Sequence, residues 1–383
     1  MTIKNKQKPI EMKILFISRA YPPIVGGIEN QNYDLSVWLG KIASVKIIAN
    51  KKGRKFLPFF APYALFYALF NLGKFDAILL GDCILSFIPF FTKLFSKKPV
   101  LSVAHGLDVN YNSASLGVWY EKILVATYQG LWVKIFLPRV DHCIAVGNET
   151  VRVLKSVNIA EEKITFIPNG IDITKFQNIS IRADLEKFLG IDLNGKYVLM
   201  TSGRLAKRKG VAWFIRNVMP ELPENIFYVI NGDGPDKQNI LDAIKETGLE
   251  KRVKPIGYKG NDVRDMLFHT CDIFIQPNIK IPGDLEGFGL SVIEAAYCGI
   301  PVIAARLEGL KDAIKDNQNG FSIETEDVSG YLKKINELLA DDEYRKNFGQ
   351  RARQYVLNNF AWDKIAKRYL EVIVNAVNAK IKN

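Results

Sequence analysis

The stretch Asp284-Leu285-Glu286-Gly287-Phe288-Gly289-Leu290-Ser291-Val292-Ile293-Glu294-Ala295-Ala296-Tyr297-Cys298-Gly299 carries two glutamates, Glu286 and Glu294, with seven residues between them. Gly287 and Gly289 flank Phe288 and suit a backbone that bends and comes close to another group, and residues 290–297 are good helix formers. Glu286 therefore belongs to a loop and Glu294 to a helix. A glycine-rich entrance followed by a helix start presents unpaired backbone N–H groups and a positive dipole end, which favours an anion. A carboxylate on either side of that anion can accept hydrogen bonds from hydroxyls. A phosphate flanked by polyols is the chemistry of a nucleotide sugar, although a plain loop and core helix carrying two glutamates fits the same residues.

The chain has 383 residues, 48% of them hydrophobic and 24% charged, enough for two globular domains that need no covalent staples. Cys83, Cys143, Cys271 and Cys298 are scattered without a metal-ligand spacing, which points to a reducing compartment and no structural metal. The net charge of +12 is uneven: residues 1–180 carry +10 and the remainder +2. An anionic partner is expected for the first half, either nucleic acid or an acidic membrane surface. Residues 1–11 are polar and basic and introduce no secretory segment. The most apolar region, residues 56–95, is interrupted by Pro58, Pro62, Asp76, Asp82 and Pro89 and is not expected to span a bilayer.

Apolar runs at 12–18, 44–49, 77–80, 100–104 and 142–146 alternate with helical segments, the rhythm of a doubly wound parallel sheet. The first ends in a loop holding Gly26 and Gly27, which places N–H groups at the carboxyl edge of the sheet, where ligands of open α/β folds bind. A tight turn would use the same glycines. His105 follows the fourth strand and precedes Gly106, which makes it a candidate for positioning a substrate; His142 and His269 sit in strand-like contexts and are expected to be structural. Within 56–95, Phe59, Phe60, Tyr63, Phe66, Tyr67 and Phe70 lie between cation clusters, Lys51, Lys52, Arg54 and Lys55 before them and Lys93, Lys97 and Lys98 after. Such a helix suits a lipid interface, and packing of the rings into the core is the other reading.

The second half repeats the rhythm with strands at 197–201, 225–230, 253–256, 273–276 and 301–304. The first of these leads into Ser202-Gly203-Arg204-Leu205-Ala206-Lys207-Arg208-Lys209-Gly210, a glycine-containing turn with four cations. From 327 the pattern is helical, and 362–379 form a last amphipathic helix.

Taken in order, Gly26-Gly27, Pro168-Asn169-Gly170, Ser202-Gly203-Arg204 with Lys209-Gly210, the Glu286 to Glu294 stretch and Cys298-Gly299-Ile300-Pro301 resemble the signature set of the retaining glycosyltransferases of family 4. The resemblance extends over nearly the whole chain. It implies the GT-B fold: two Rossmann-like domains at 1–180 and 181–361 facing a central cleft, and a helix at 362–383 returning to the first domain. In that family the positions of Arg204 and Lys209 contact the donor diphosphate, and those of Gly287, Phe288, Gly289 and Leu290 lie in the loop and helix start beside it. The positions of Gly257 and Tyr258 lie near the base, Glu294 takes the ribose hydroxyls, and Glu286 and His105 meet the sugar. Gly26 and Gly27 close over the donor phosphates and the acceptor. Glu308-Gly309 resembles a family Gly-Gly pair with one glycine replaced.

The resemblance implies transfer of a hexose-type sugar with retention, without a cofactor or metal, from a nucleotide diphosphate sugar. A lipid-linked or membrane-associated acceptor is expected from the basic, aromatic first half, with the enzyme peripheral on the cytoplasmic face of the cell membrane and acting in cell-surface polysaccharide assembly. The rivals are a soluble acceptor, a non-catalytic nucleotide-sugar-binding subunit, and a nucleic-acid binder, the last disfavoured because apolar runs interrupt the cations.

Overall fold

The computed structural model describes residues 12–24, 26–106, 108, 109, 123, 127, 129–176 and 179–382. The stretch 1–11, read for a targeting signal, lies outside them. Two compact units make up the chain, Met1–Gly170 with Trp362–Asn383, and Ile171–Ala361.

The first unit is built on six parallel strands, β1 (Lys13–Ser18), β2 (Ser44–Ala49), β3 (Ala77–Leu80), β4 (Val100–Ala104), β5 (His142–Ala145) and β6 (Ile164–Phe166), in the order β2-β1-β3-β4-β5-β6. Every residue of β3 and β4 is buried, which is why both are unbroken small or apolar runs. Alternate residues of β1 serve opposite faces. Ile14 and Phe16 join a core completed by Leu35 and Leu39 of the helix Gly27–Gly40 and by Trp362, Ile365, Tyr369 and Ile373 of the last helix, Trp362–Lys382. Leu15 and Ile17 face Phe60, Ala64 and Ala68 of the helix Leu57–Phe70. Helices thus cover both faces, as in a doubly wound sheet. A Cβ on Gly170 would come within 2.5 Å of the Trp362 ring, so the glycine of Pro168-Asn169-Gly170 makes room for the returning helix.

The rings of the helix Leu57–Phe70 divide between the two readings. Phe60 is buried at 3%, whereas Phe59, Tyr63, Phe66 and Phe70 are 69%, 54%, 56% and 83% exposed. Spacings of three and four residues put these four on one outward stripe. No helix among the described residues is long and apolar enough to cross a membrane.

The second unit repeats the plan with β7 (Tyr197–Ser202), β8 (Ile226–Asn231), β9 (Val253–Gly257), β10 (Ile273–Gln276), β11 (Val302–Ala305) and β12 (Phe321–Ile323), in the order β12-β11-β10-β7-β8-β9. Its core begins earlier than the boundary at 180 expected from the sequence. Ile171 and Phe176 already pack with it, and the Ile171 N–H donates to the Phe360 carbonyl at 2.8 Å. The strands β6 and β12 were not apparent in the sequence because three residues are too few to display a period.

Candidate active site

In the second sheet, β8 and β9 extend from β7 on one side, while β10, β11 and β12 extend on the other. The connections leaving β7 and β10 therefore run to opposite sides and open a crevice at their carboxyl ends, the place where open α/β sheets bind ligands. The sequence supplies those two connections with its cations and with Glu286. After β7 the chain passes Gly203, at φ 134°, and makes a short 3-10 turn over Lys207–Lys209. Gly210 then takes φ 66°, and a Cβ there would overlap the Pro277 carbonyl oxygen. Only glycine lets the β7 connection lie this close to the β10 connection, and the Ile279 N–H closes the seam on the Arg208 carbonyl at 2.9 Å.

Glu286 sits at the centre of the seam. Its Oε2 is 2.7 Å from Lys209 Nζ and 3.5 Å from Arg208 Nε, and it accepts from Asn278 Nδ2 at 3.1 Å. Arg208 also reaches Asp284 Oδ1 at 3.0 Å. Asn278 is held by Gln276 Nε2 at 2.5 Å, and Ser291 Oγ donates to Gln276 Oε1 at 3.4 Å. Burial alone would raise the Glu286 pKa. The positive charges of Lys209 and Arg208, with the hydrogen bonds from Lys209 and Asn278, outweigh it and hold the carboxyl below its ordinary value. Glu286 is therefore ionised at neutral pH, an acceptor of hydrogen bonds and not a proton donor.

The Glu286 backbone is fixed as well. Its N–H donates to Glu308 Oε2 at 2.5 Å, and its carbonyl accepts from the Gly309 N–H at 3.2 Å. Glu308 stands at φ 47°, and a Cβ on Gly309 would overlap the Gly287 carbonyl. Gly289, at φ 82°, turns the chain into the helix Leu290–Cys298, whose start has no side-chain cap. A Cβ on Gly289 would lie 2.5 Å from Leu310 Cδ2. Phe288 is buried against Phe360, with ring centroids 5.9 Å apart, and anchors this turn. Gly287 has open space where a Cβ would point.

The remaining expected residues of this unit are placed differently. Arg204 is exposed and pairs with no carboxylate among the described residues. Glu294, half-buried on the helix, lies in the field of Arg264: burial would lower the Arg264 pKa, and the charge of Glu294, with the hydrogen bond to Asp265, outweighs it and raises the pKa above its ordinary value. Tyr258 is 66% exposed, and Gly257 ends β9 at φ 70° with open space around it. Glu286 and Lys209 thus meet directly, while Glu294 acts on Arg264 through the field of its charge.

In the first unit, Gly26 is extended at φ 176° and Gly27 begins the helix Gly27–Gly40 with nothing near its missing Cβ. His105 follows β4. Its Nε2 lies 3.0 Å from the Gly81 carbonyl oxygen, which can only accept, so that nitrogen carries the proton. Asp108 accepts from the backbone N–H groups of His105 and Cys83, both at 2.9 Å, and joins the loops after β3 and β4. His142 and His269 are bonded to Thr165 Oγ1 and to the Asp265 carbonyl at 2.7 and 2.8 Å.

Arg208, Asp284, Asn278 and Gln276 have no site role on the sequence alone, and Glu308 stands out there only as a departure from a family Gly-Gly pair. Arg208 stood within a run of cations whose members only the 3-10 turn sorts, and Asn278 offered no signal beyond its place after a strand and a proline.

Two family models match the chain, Glycosyltransferase Family 4 over residues 24–175 and Glycosyl transferases group 1 over residues 183–355. The chain is a GT-B glycosyltransferase of family 4. Among its relatives is an uncharacterized glycosyltransferase of Methanocaldococcus jannaschii, 25% identical over 334 residues, 82% of this chain and 81% of that one. Another is the Escherichia coli UDP-Gal:alpha-D-GlcNAc-diphosphoundecaprenol alpha-1,3-galactosyltransferase, 29% identical over 260 residues, 64% of each chain. The glycosyltransferase also shares its fold with Anabaena HepE, solved with UDP and glucose, at a TM-score of 0.71 and 19% identity over 95% of this chain and 100% of that one.

Proposed function

We propose that this glycosyltransferase moves a hexose-type sugar, with retention, from a nucleotide diphosphate sugar to a lipid-linked or other membrane-associated acceptor in cell-surface polysaccharide assembly. The observation that carries the donor half is the buried Lys209–Glu286 pair at the switch between β7 and β10, beside the uncapped start of the helix Leu290–Cys298. Lys209 and Arg204, with the N–H groups around Gly289 and Leu290, would hold the diphosphate and balance the charge that grows on it as the sugar departs. Glu286, ionised and rigidly held, would accept from the sugar hydroxyls and set the anomeric carbon. Glu294 would take the ribose, and the nucleobase would lie by Gly257 and Tyr258. His105, Gly26 and Gly27 are assigned to the sugar and acceptor. The departing phosphate oxygen would take the acceptor proton, with no protein nucleophile and no metal.

HepE, a protein of the same fold, binds UDP, which supports a nucleotide-sugar donor. The acceptor half rests on the exposed stripe of Phe59, Tyr63, Phe66 and Phe70 and on the basic first half of the chain, which suit the cytoplasmic face of an anionic membrane. The E. coli relative is named for a diphosphoundecaprenol-linked substrate, which agrees with this reading. Product analysis with a panel of nucleotide sugars and polyisoprenoid-diphosphate sugars, with and without EDTA, tests it. Chelator-resistant extension of the lipid-linked sugar is expected. Transfer only to water-soluble acceptors, or a strict metal requirement, would overturn the corresponding part.

A further inference from the structure

The amino-terminal edge of the first sheet, away from the carboxyl edge that carries His105, holds a second cluster of charge. Asp141, just before β5, receives two ammonium groups on the same oxygen: Lys93 Nζ at 2.9 Å and Lys380 Nζ at 3.0 Å from Oδ1. Its Oδ2 accepts the Val100 backbone N–H at 2.9 Å, so the carboxylate is fixed in place. The two ammonium nitrogens are at most about 6 Å apart and repel each other, and one carboxylate leaves the pair with a net positive charge. Lys93 and Lys380 line a recess of about 280 Å³ together with Ser96 and Lys97. It adjoins a second hollow, lined in part by Asp141, His142 and Lys163, in which Asp141 is the one carboxylate. Burial holds the His142 imidazole below its ordinary pKa, so the excess of positive charge comes from the lysines. Lys98 is not among them, since its ammonium donates to the carbonyls of Phe75 and Gly73.

The residues beside these lysines are apolar and uncovered. Phe91, Leu94 and Phe95 are 38%, 71% and 74% exposed, and the helix that bears Phe91, Phe87–Thr92, packs against the helix Leu57–Phe70 with its own exposed stripe. A recess with excess ammonium groups and a hydroxyl, rimmed by exposed rings, matches a phosphate attached to something apolar.

We propose that the recess lined by Lys93, Ser96, Lys97 and Lys380 binds the phosphate of an anionic membrane lipid, with Phe91, Leu94 and Phe95 entering the interface beside it. The proposal rests on the membrane reading above and adds to it a headgroup contact made by the C-terminal helix through Lys380.

The test is sedimentation of the full chain with phosphatidylcholine vesicles, with and without phosphatidylglycerol, comparing wild type, a Lys97→Glu/Lys380→Gln variant and a Phe59→Ser/Phe66→Ser variant. Thermal unfolding with and without inorganic phosphate is run alongside. Wild type is expected to prefer phosphatidylglycerol, and the lysine variant to bind these vesicles roughly tenfold or more weakly while unfolding as a single folded protein does. A lysine variant that binds like wild type while the phenylalanine variant does not would overturn the recess and leave the membrane reading standing. Absence of vesicle binding by wild type would overturn both. If inorganic phosphate raised the wild-type melting temperature but phosphatidylglycerol had no effect on sedimentation, the recess would be a site for free phosphate and the lipid assignment would fail.

Discussion

Lys209 Nζ stands 2.7 Å from Glu286 Oε2, with 10% and 9% of the two side chains exposed. Residues far apart in the chain meet here because β7 and β10 are neighbours and their connections converge. Glu286→Gln keeps the shape and removes the charge. If the carboxylate holds the sugar, kcat should fall on the order of a hundredfold, while the lost charge-assisted bond costs roughly 1–3 kcal/mol of stability. Steady-state kinetics with denaturant unfolding checks both, and unchanged turnover would remove Glu286 from the site.

Acid should erase the stabilising part. The Glu286 pKa is lower in the folded chain than its ordinary 4.5, so its contribution is fully present above that value and disappears as pH falls through the lowered folded pKa. The melting-temperature gap between wild type and Glu286→Gln should therefore hold at neutral pH and close as the solution is acidified below the ordinary glutamate range. A gap independent of pH would mean that the difference comes from packing.

Gly210 separates the two connections. An alanine there must occupy φ 66° and push against the Pro277 carbonyl, which forces the Lys207–Lys209 turn away from Glu286. Gly210→Ala should cost about 1–3 kcal/mol and reduce transfer more than its stability loss explains. Gly190→Ala, at φ 68° with nothing near the missing Cβ, should cost backbone strain alone and leave transfer intact.

Gly27 offers the opposite case. It opens a helix in space that would accept a methyl group, so the fold does not demand glycine there. Gly27→Ala should melt within a few degrees of wild type. If its backbone approaches donor or acceptor closely, KM should rise or kcat fall at the same time; wild-type kinetics would return Gly27 to being a turn residue.

Much of the architecture was legible because buried parallel strands announce themselves as apolar runs: β1, β4, β7 and β10 all stood out, and their alternation with helices implied two doubly wound sheets. The short strands β6 and β12 did not, since their order comes from a neighbouring strand and not from their own pattern. At the site, Glu286, Gly289 and Gly210 could be singled out because they fall in segments that resemble the family 4 signature; on their residues alone a plain loop or a solvated basic turn reads as well. Gln276 and Asn278 could not, because their part is to hold Glu286 through hydrogen bonds inside the β10 connection, which form only where that loop folds back on itself. The stripe on the helix Leu57–Phe70 was ambiguous for a physical reason: rings on every side satisfy core and interface alike until the covered face is known.

The decisive measurement is calorimetric titration of the chain with UDP, GDP and ADP in turn, repeated on Lys209→Met, which keeps the apolar stem and removes the ammonium. At least one diphosphate should bind wild type, and loss of a charged hydrogen bond to phosphate should weaken it by roughly tenfold or more in the variant. Equal affinity in the two proteins would place the diphosphate elsewhere and contradict a donor site at the β7 and β10 switch.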